Sequence, residues 1–205
     1  MFEILLSFSI ATMALALSPG PDNVFVFTQS ITNGSSYGIA TTAGLISGCI
    51  VHTTLVAFGI SAIIMASEGL FLGIKIAGAI YLLYLAFQVY KAGNTLMITS
   101  KEIVQKSHFQ LYKQGVIMNI LNPKVTIFFL AFFPAFLWDK EENTIAQFYI
   151  LGLLFMGISF LIFSAIALLS GRISTFLQQK KNSGVFFKWL QIIVFTGIAI
   201  FLFLP

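Results

Sequence analysis

Long apolar runs, joined by short polar segments, constrain this chain more than any other feature. Only 9% of its 205 residues are charged, whereas a typical soluble domain carries roughly one quarter. A helix needs ~20 mostly apolar residues to cross the hydrocarbon layer of a membrane, and the chain has room for about six such runs with little left over. The sequence therefore predicts one transmembrane domain over residues 1–205 and leaves no space for a soluble domain.

The apolar runs predict an all-α integral membrane protein. Residues 150–169, for example, are apolar on every side, whereas the strands of a membrane barrel alternate between lipid-facing and polar residues. A signal peptide ending at Ala14-Leu15-Ala16 is not expected, because no lysine or arginine precedes it and the apolar run continues beyond it. The six predicted helices span residues 4–27, 39–65, 70–90, 114–138, 144–170 and 185–204.

Basic residues set the expected orientation, because short loops rich in lysine and arginine stay on the cytoplasmic side. One basic segment follows the third predicted helix and another follows the fifth. Both are predicted to be cytoplasmic, which places both termini, Glu68 and residues 139–142 outside. The formal net charge of +4 then reflects topology and does not indicate nucleic-acid binding. The basic residues concerned are Lys91, Lys101, Lys106, Lys113, Arg172, Lys180, Lys181 and Lys188.

This orientation gives the two halves of the chain opposite topologies. The first three helices begin outside and the last three begin inside, so two inverted three-helix repeats are expected. The first repeat covers about residues 1–92 and the second about residues 108–205, with a basic cytoplasmic loop at about residues 91–113. Transporters built in this way hold their site near the middle of the membrane, where one helix of each repeat is interrupted.

The first and fourth predicted helices contain such interruptions. Pro19, Gly20 and Pro21 stand inside the first apolar run, and Pro123 stands inside the fourth. Proline removes a backbone donor and crowds the preceding turn of a helix. Helices 1 and 4 are therefore predicted to be broken.

A charged residue directly follows each break, Asp22 in the first helix and Lys124 in the fourth. Lipid cannot satisfy the freed backbone groups, so the breaks are expected to meet in the protein interior. The amides of the half-helices that begin there suit a carboxylate, and Asp22 suits an ammonium group or a proton. Two interpretations stay open: the two charges form a structural pair, or they bind substrate.

Further polar residues in the apolar runs are candidates for the site. Asn23, Asn119 and Asn122 are expected either to bind substrate or to cap the backbone freed by the breaks. Lys75 either extends to the membrane surface or lines the transport pathway. His52 is either a satisfied core histidine or a proton relay on that pathway.

Metal and redox chemistry are not expected. Cys49 is the only cysteine, and the two histidines, His52 and His108, are far apart in sequence. We therefore expect no metal and no cofactor, and a single cysteine argues against an intramembrane thiol–disulfide carrier. No serine–histidine, paired-aspartate or histidine-rich arrangement indicates an intramembrane enzyme.

The two breaks resemble those of the LysE/RhtB family of bacterial amino-acid exporters, through residues 17–23 and 119–124. The resemblance implies an efflux protein of the bacterial inner membrane that exports amino acids or similar metabolites, driven by the proton motive force or the membrane potential. It adds Tyr81 to the candidate pathway residues and does not choose among substrates. Other similar positions are Gly44, Gly48, His52, Lys75, Gly78, Leu82, Phe128, Phe129 and Pro134.

A channel is the alternative function, because midplane breaks of this kind can also line a pore. The expected partners are the lipid bilayer and an amino-acid-like small molecule, without nucleic acid. Assembly as a homo-oligomer stays open.

Overall fold

A computed structural model describes residues 1–62, 67–91, 106–139, 142–179 and 183–203. These residues are almost entirely helical and include no strand. The helices are α1 (Phe2–Leu17), α2 (Pro21–Asn33), α3 (Ser35–Leu55, continued by a π-helical turn, Val56–Ile60), α4 (Glu68–Lys91), α5 (His108–Ile120), α6 (Pro123–Phe132, continued by a 3-10 turn, Phe133–Phe136), α7 (Thr144–Leu168), α8 (Ser170–Gln179) and α9 (Ser183–Phe201).

Several of these helices are long and apolar enough to cross a membrane. Ser35–Ile60, Gly69–Lys91 and Thr144–Leu168 each meet that requirement alone. Two pairs of helices, each bent at a short break, raise the number of candidate spans to as many as five within the described residues. Val185–Phe201 is apolar but shorter. The apolar helices are those of a multi-pass membrane protein.

Both predicted helix breaks are present. Phe2–Leu17 and Pro21–Asn33 meet at 58°, and His108–Ile120 and Pro123–Phe136 meet at 52°. In both cases proline is the first residue of the new helix, where its missing N–H costs no hydrogen bond and its fixed φ suits the helix. The prediction of two broken helices is confirmed.

The helix ends differ from the prediction in polar segments. α2 continues to Asn33 rather than ending at residue 27, and α5 begins at His108 rather than residue 114. A capping box extends α5, because Ser107 accepts from the amide of Gln110 while the Gln110 side chain accepts from the amide of Ser107. Lys113 therefore lies on a helix and not in the predicted loop.

The second basic segment is also largely helical, since Arg172 lies on α8 and Lys188 on α9. Several predictions fall outside the described residues. These are the helix ends at residues 65 and 204 and the positions of Lys101, Lys180 and Lys181.

Close packing of α3 on α5 depends on glycine. A Cβ on Gly44 would overlap the backbone carbonyl of Tyr112, and a Cβ on Gly115 would lie 2.6 Å from the carbonyl oxygen of Thr41. A Cβ on Gly48 would lie 2.7 Å from Asn119 Oδ1. Gly44 and Gly48 thus serve close helix packing, as their four-residue spacing predicts.

Phenylalanines on α6 are among the largest fully buried side chains of the core. We call Phe8, Phe128, Phe129, Phe132, Phe133, Phe136 and Phe155 the aromatic cluster, and each is no more than 6% exposed. Successive rings stack or meet edge to face, as between Phe129 and Phe133, whose centroids are 4.1 Å apart. The cluster begins beside the second break and follows α6 away from it, so that end of the bundle is densely filled.

Candidate functional site

The two helix breaks lie side by side. Asn122 Nδ2, at the second break, donates to Asp22 Oδ2, at the first, over 3.1 Å, although 100 positions separate the residues in sequence. Lys124 Nζ in turn donates to the backbone carbonyl of Ser18 over 3.3 Å. The prediction that the breaks meet is confirmed, while their depth in the membrane stays a prediction.

The two carboxylate oxygens of Asp22 differ in their hydrogen bonding. It lies in the first turn of α2, and only 6% of its surface is exposed. Oδ2 accepts from Asn122, but Oδ1 is buried without a hydrogen-bond partner among the described residues. Buried polar atoms are normally paired, because an unpaired one has lost its water and gained nothing. Oδ1 is thus an acceptor with no donor among the described residues.

Lys124 lies in the first turn of α6 and is partly buried. Its ammonium group sits over the ring of Phe195, 5.0 Å from the centroid. Its hydrogen bond goes to Ser18 and not to Asp22, and the choice between a structural pair and a substrate site stays a prediction. The carbonyl of Ser18 stands at the interrupted end of α1, where no continuing helix supplies its donor, and Lys124 supplies it instead.

Two of the three asparagines bind backbone groups at the breaks. Asn122 is the N-cap of α6, with its Oδ1 accepting from the amide of Lys124 over 3.0 Å. Asn23 Nδ2 donates to the carbonyl of Ala16 over 2.7 Å, near the end of α1. Capping is thus confirmed for these two residues, and Asn122 also binds Asp22. The carbonyl of Asn119 lies 3.1 Å from His52 Nε2.

His52 continues the glycine row that faces α5. Gly44, Gly48 and His52 stand four positions apart on α3, so they share one face of the helix. His52 is 3% exposed and its ring lies 5.4 Å from that of Phe129. Its contact with the Asn119 carbonyl is that of a satisfied core histidine, placed one turn from the break.

A small cavity lies where the two breaks meet. The centre of a water molecule can occupy about 30 Å³ of it. Roughly 10–15 Å³ of such space holds one water, so the cavity has room for only a few. It is lined by Leu15, Ala16, Gly20, Pro21, Asp22, Asn23, Ile46, Cys49, Asn119, Asn122, Lys124, Val125, Phe155, Ser159 and Phe163.

Two predicted pathway residues lie elsewhere. Lys75 Nζ is 5.9 Å from the ring centroids of Phe71 and Phe203, and the ring of Tyr81 is 6.1 Å from that of Tyr84. Neither residue lines the cavity. A role for Lys75 and Tyr81 on the pathway stays a prediction.

Sequence reasoning missed the wall of the cavity formed by α7. Phe155, Ser159 and Phe163 line it, and the one available signal was a hydroxyl in an apolar run. Cys49 also borders the cavity and donates to the carbonyl of Leu45. Within the described residues, no group of three histidine, cysteine, aspartate or glutamate side chains could hold a metal ion.

Comparison with known sequences agrees with this arrangement. The sequence model of the family described as LysE type translocator matches residues 13–204, which include both breaks. The chain belongs to the LysE type translocator family. LysE membership covers nearly the whole transmembrane domain, and the resemblance of the two breaks to this family is thereby confirmed.

This LysE family chain is similar to individual proteins, two of which are named for a function. One is a homoserine/homoserine lactone efflux protein of Salmonella typhimurium, 30% identical over 181 residues that cover 88% of this chain and 87% of the relative. The protein of the same name in Salmonella typhi is equally similar. A membrane protein of Vibrio cholerae is 30% identical over 182 residues, covering 86% of this chain and 85% of the relative. No solved structure matches the chain.

Proposed function

We propose that this member of the LysE family is a carrier that exports an amino acid or a related small metabolite across the bacterial cytoplasmic membrane. One observation carries the proposal. The N-termini of two half-helices, α2 and α6, converge on a cavity lined by Lys124 and by Asp22, whose Oδ1 has no hydrogen-bond partner among the described residues. The two relatives named for homoserine and homoserine lactone efflux support an amino-acid-like substrate.

The charges of the cavity suit a zwitterion. Asp22 Oδ1 can accept from a substrate ammonium group without losing its bond to Asn122, because that bond uses Oδ2. The ammonium group of Lys124, together with the positive end of the α6 dipole, suits the substrate carboxylate, since Asn122 already accepts from the Lys124 amide. Charge-assisted hydrogen bonds of this kind are about twice as strong as neutral ones.

The proposed architecture has six membrane spans in two inverted repeats, with α8 as an additional helix. Under this scheme α1, α2, α3 and α4 correspond to α5, α6, α7 and α9. The packing of the helices supports the scheme, because α3 packs on α5 while its counterpart α7 packs on α1. α3 also packs on α7, and α4 on α9, as two-fold related elements should. Both termini are then outside and the basic segments are cytoplasmic.

A carrier mechanism is favoured over a channel by the size of the cavity. Space for a few waters is too small for an amino acid, so the cavity must widen during transport. The aromatic cluster lies next to the cavity and fills that end of the described bundle with buried rings. We therefore propose alternating access, in which the halves of the molecule move around the two breaks.

Proton coupling is proposed for the same site. Asp22 is a carboxylate on a membrane helix, and such groups commonly carry protons in pumps and transporters. We expect export to stop when a protonophore is added to intact cells whose internal substrate concentration is held constant. Export that continues unchanged would argue against coupling to the proton motive force.

Counterflow in proteoliposomes tests the carrier proposal. Vesicles loaded with excess unlabelled amino acid are diluted into the same labelled compound, over a panel that includes homoserine, threonine, lysine and leucine. Saturable, transient accumulation of at least one compound is expected. Linear flux that ignores the internal substrate would instead show a channel, and no flux of any compound would reject an amino-acid substrate.

A further inference from the structure

One wall of the cavity is formed by α7. Phe155, Ser159 and Phe163 line it, and because they are four positions apart their side chains share one face of the helix. This face offers two aromatic rings with a single hydroxyl between them. The charged and amide residues of the breaks line the same cavity.

The hydroxyl of Ser159 is buried without a partner. The residue is 2% exposed, and its Oγ has no hydrogen-bond partner among the described residues. Many other hydroxyls on these helices donate to the carbonyl four positions earlier, a common arrangement that satisfies them locally. Those that do so include Ser9, Ser30, Thr41, Ser47, Thr53 and Thr54. Ser159 does not, and it borders the same space as the unpaired Oδ1 of Asp22.

We infer that Ser159 is a specificity-determining residue whose hydroxyl hydrogen-bonds a polar group on the side chain of the transported amino acid. The inference rests on the proposed function. An amino acid held by its ammonium group at Asp22 and its carboxylate at the start of α6 directs its side chain away from the breaks, towards α7. There Phe155 and Phe163 contact its hydrocarbon part, and Ser159 meets a hydroxyl or carbonyl group.

A hydroxyl in this position discriminates between substrates because a substrate without a matching polar group binds less favourably. An aliphatic side chain of the same shape would leave Ser159 Oγ buried and unpaired, and sites that hydrogen-bond a substrate hydroxyl discriminate against analogues that lack it. The inference therefore predicts a preference within matched pairs of substrates. Homoserine and norvaline form one pair, and threonine and valine form another, because each differs mainly by a hydroxyl in place of a methyl group.

The test is competition in the counterflow assay with the full-length protein. For each pair, the ratio of the two inhibition constants is measured in wild type, Ser159→Ala and Ser159→Cys. Ser159→Ala should reduce the preference for the hydroxylated member about three- to tenfold, the value of roughly one hydrogen bond. Ser159→Cys keeps a side chain of similar size that hydrogen-bonds weakly, so its ratio should be intermediate.

Ser164→Ala is the matched control. Ser164 Oγ is also buried without a partner among the described residues, but Ser164 does not line the cavity. At 3.6 residues per turn it points about 140° away from Ser159 around α7. This variant should keep the wild-type ratio.

The outcomes separate the two proposals. If wild type exchanges no amino acid, the proposed function fails. If wild type exchanges amino acids but shows no preference within either pair, or if Ser159→Ala and Ser159→Cys keep the wild-type ratio, the role of Ser159 is rejected and the proposed function stands. A ratio that falls equally in Ser164→Ala would also reject it, since the effect would then not come from the cavity.

Discussion

Asp22 has one carboxylate oxygen bound to Asn122 and one without a partner in the described part of the chain, and this difference determines its response to substitution. In Asp22→Asn the side-chain carbonyl can still accept from Asn122, so the two breaks should stay together. The negative charge is lost, and with it the attraction for an ammonium group or a proton. Counterflow should fall to the level of empty vesicles, while the amount of folded protein in the membrane stays at the wild-type level.

Glu3→Gln is the control for Asp22→Asn, because Glu3 is an exposed carboxylate in the first turn of α1. It should export at the wild-type rate. Ordinary export by Asp22→Asn would make Asp22 a bystander and remove the main support for a charged substrate site.

Asn122 has two functions that different substitutions can separate. Its Oδ1 caps α6 and its Nδ2 binds Asp22. Asn122→Ser keeps a good capping residue but is too short to reach Asp22, so the melting temperature should stay near wild type while the counterflow rate falls. Asn122→Ala loses both contacts and should also be less stable by about 1 kcal/mol. Thermal unfolding in detergent and initial counterflow rates measure the two effects.

Equal rates in Asn122→Ser and wild type would contradict a functional role for the contact with Asp22. An unchanged melting temperature in Asn122→Ala would contradict the role of Asn122 as a helix cap.

At the scale of the helices, the contact between α3 and α5 sets the position of the second break. A Cβ on Gly48 would lie 2.7 Å from Oδ1 and 2.8 Å from Cβ of Asn119, so Gly48→Ala must displace Asn119. Asn119 is close to Pro123, and we expect slower counterflow and a lower melting temperature. Gly73→Ala is the matched control, since nothing lies within 4 Å of its added Cβ. Alanine is favoured over glycine in a helix by about 1 kcal/mol, so this control should be neutral or stabilising.

A Gly48→Ala variant as active and stable as Gly73→Ala would show that α5 can move away from α3 without cost. The second break would then not be held in place by this helix pair.

The helix breaks could be predicted from sequence because the effect of proline is local. Pro21 and Pro123 cannot continue a regular helix whatever surrounds them, and each stands inside an apolar run. The start of α5 could not be found in the same way. The segment from His108 to Lys113 is helical but mixes polar residues with Phe109, Leu111 and Tyr112, so hydrophobicity alone did not report it.

The partners of the charged residues were harder to predict. Opposite charges after the two breaks suggested that Asp22 and Lys124 pair with each other, but the amide of Asn122 and the carbonyl of Ser18 take those positions. Burial of Ser159 towards the cavity was also not predictable. α7 is apolar on all sides, so its sequence carries no pattern that fixes its rotation about its own axis.

At the scale of the whole molecule, the exchange of packing partners between the two halves links the fold to transport. Each half contributes one broken helix, and the long helix of each half packs on the broken helix of the other, α3 on α5 and α7 on α1. Movement of one half therefore changes the surroundings of both breaks. In the proposed alternating access, a rocking motion of the halves opens the cavity to one side of the membrane while closing it to the other.

Membrane orientation is the last prediction, and it tests the inverted repeat directly. Single cysteines are placed at exposed positions, Lys106→Cys before α5 and Glu142→Cys before α7, in a Cys49→Ala background. Lys106 belongs to a basic segment expected on the cytoplasmic side, and Glu142 to the short connection expected outside. In intact cells an impermeant maleimide should therefore label position 142 and not position 106, whereas in permeabilised cells it should label both.

Since Cys49 borders the cavity, the background variant must first be shown to retain counterflow. Labelling of position 106 in intact cells would reverse the orientation. Labelling of both positions in intact cells would place the starts of α5 and α7 on the same side of the membrane. The proposed topology has one span between these two positions, so the inverted repeat would then be wrong.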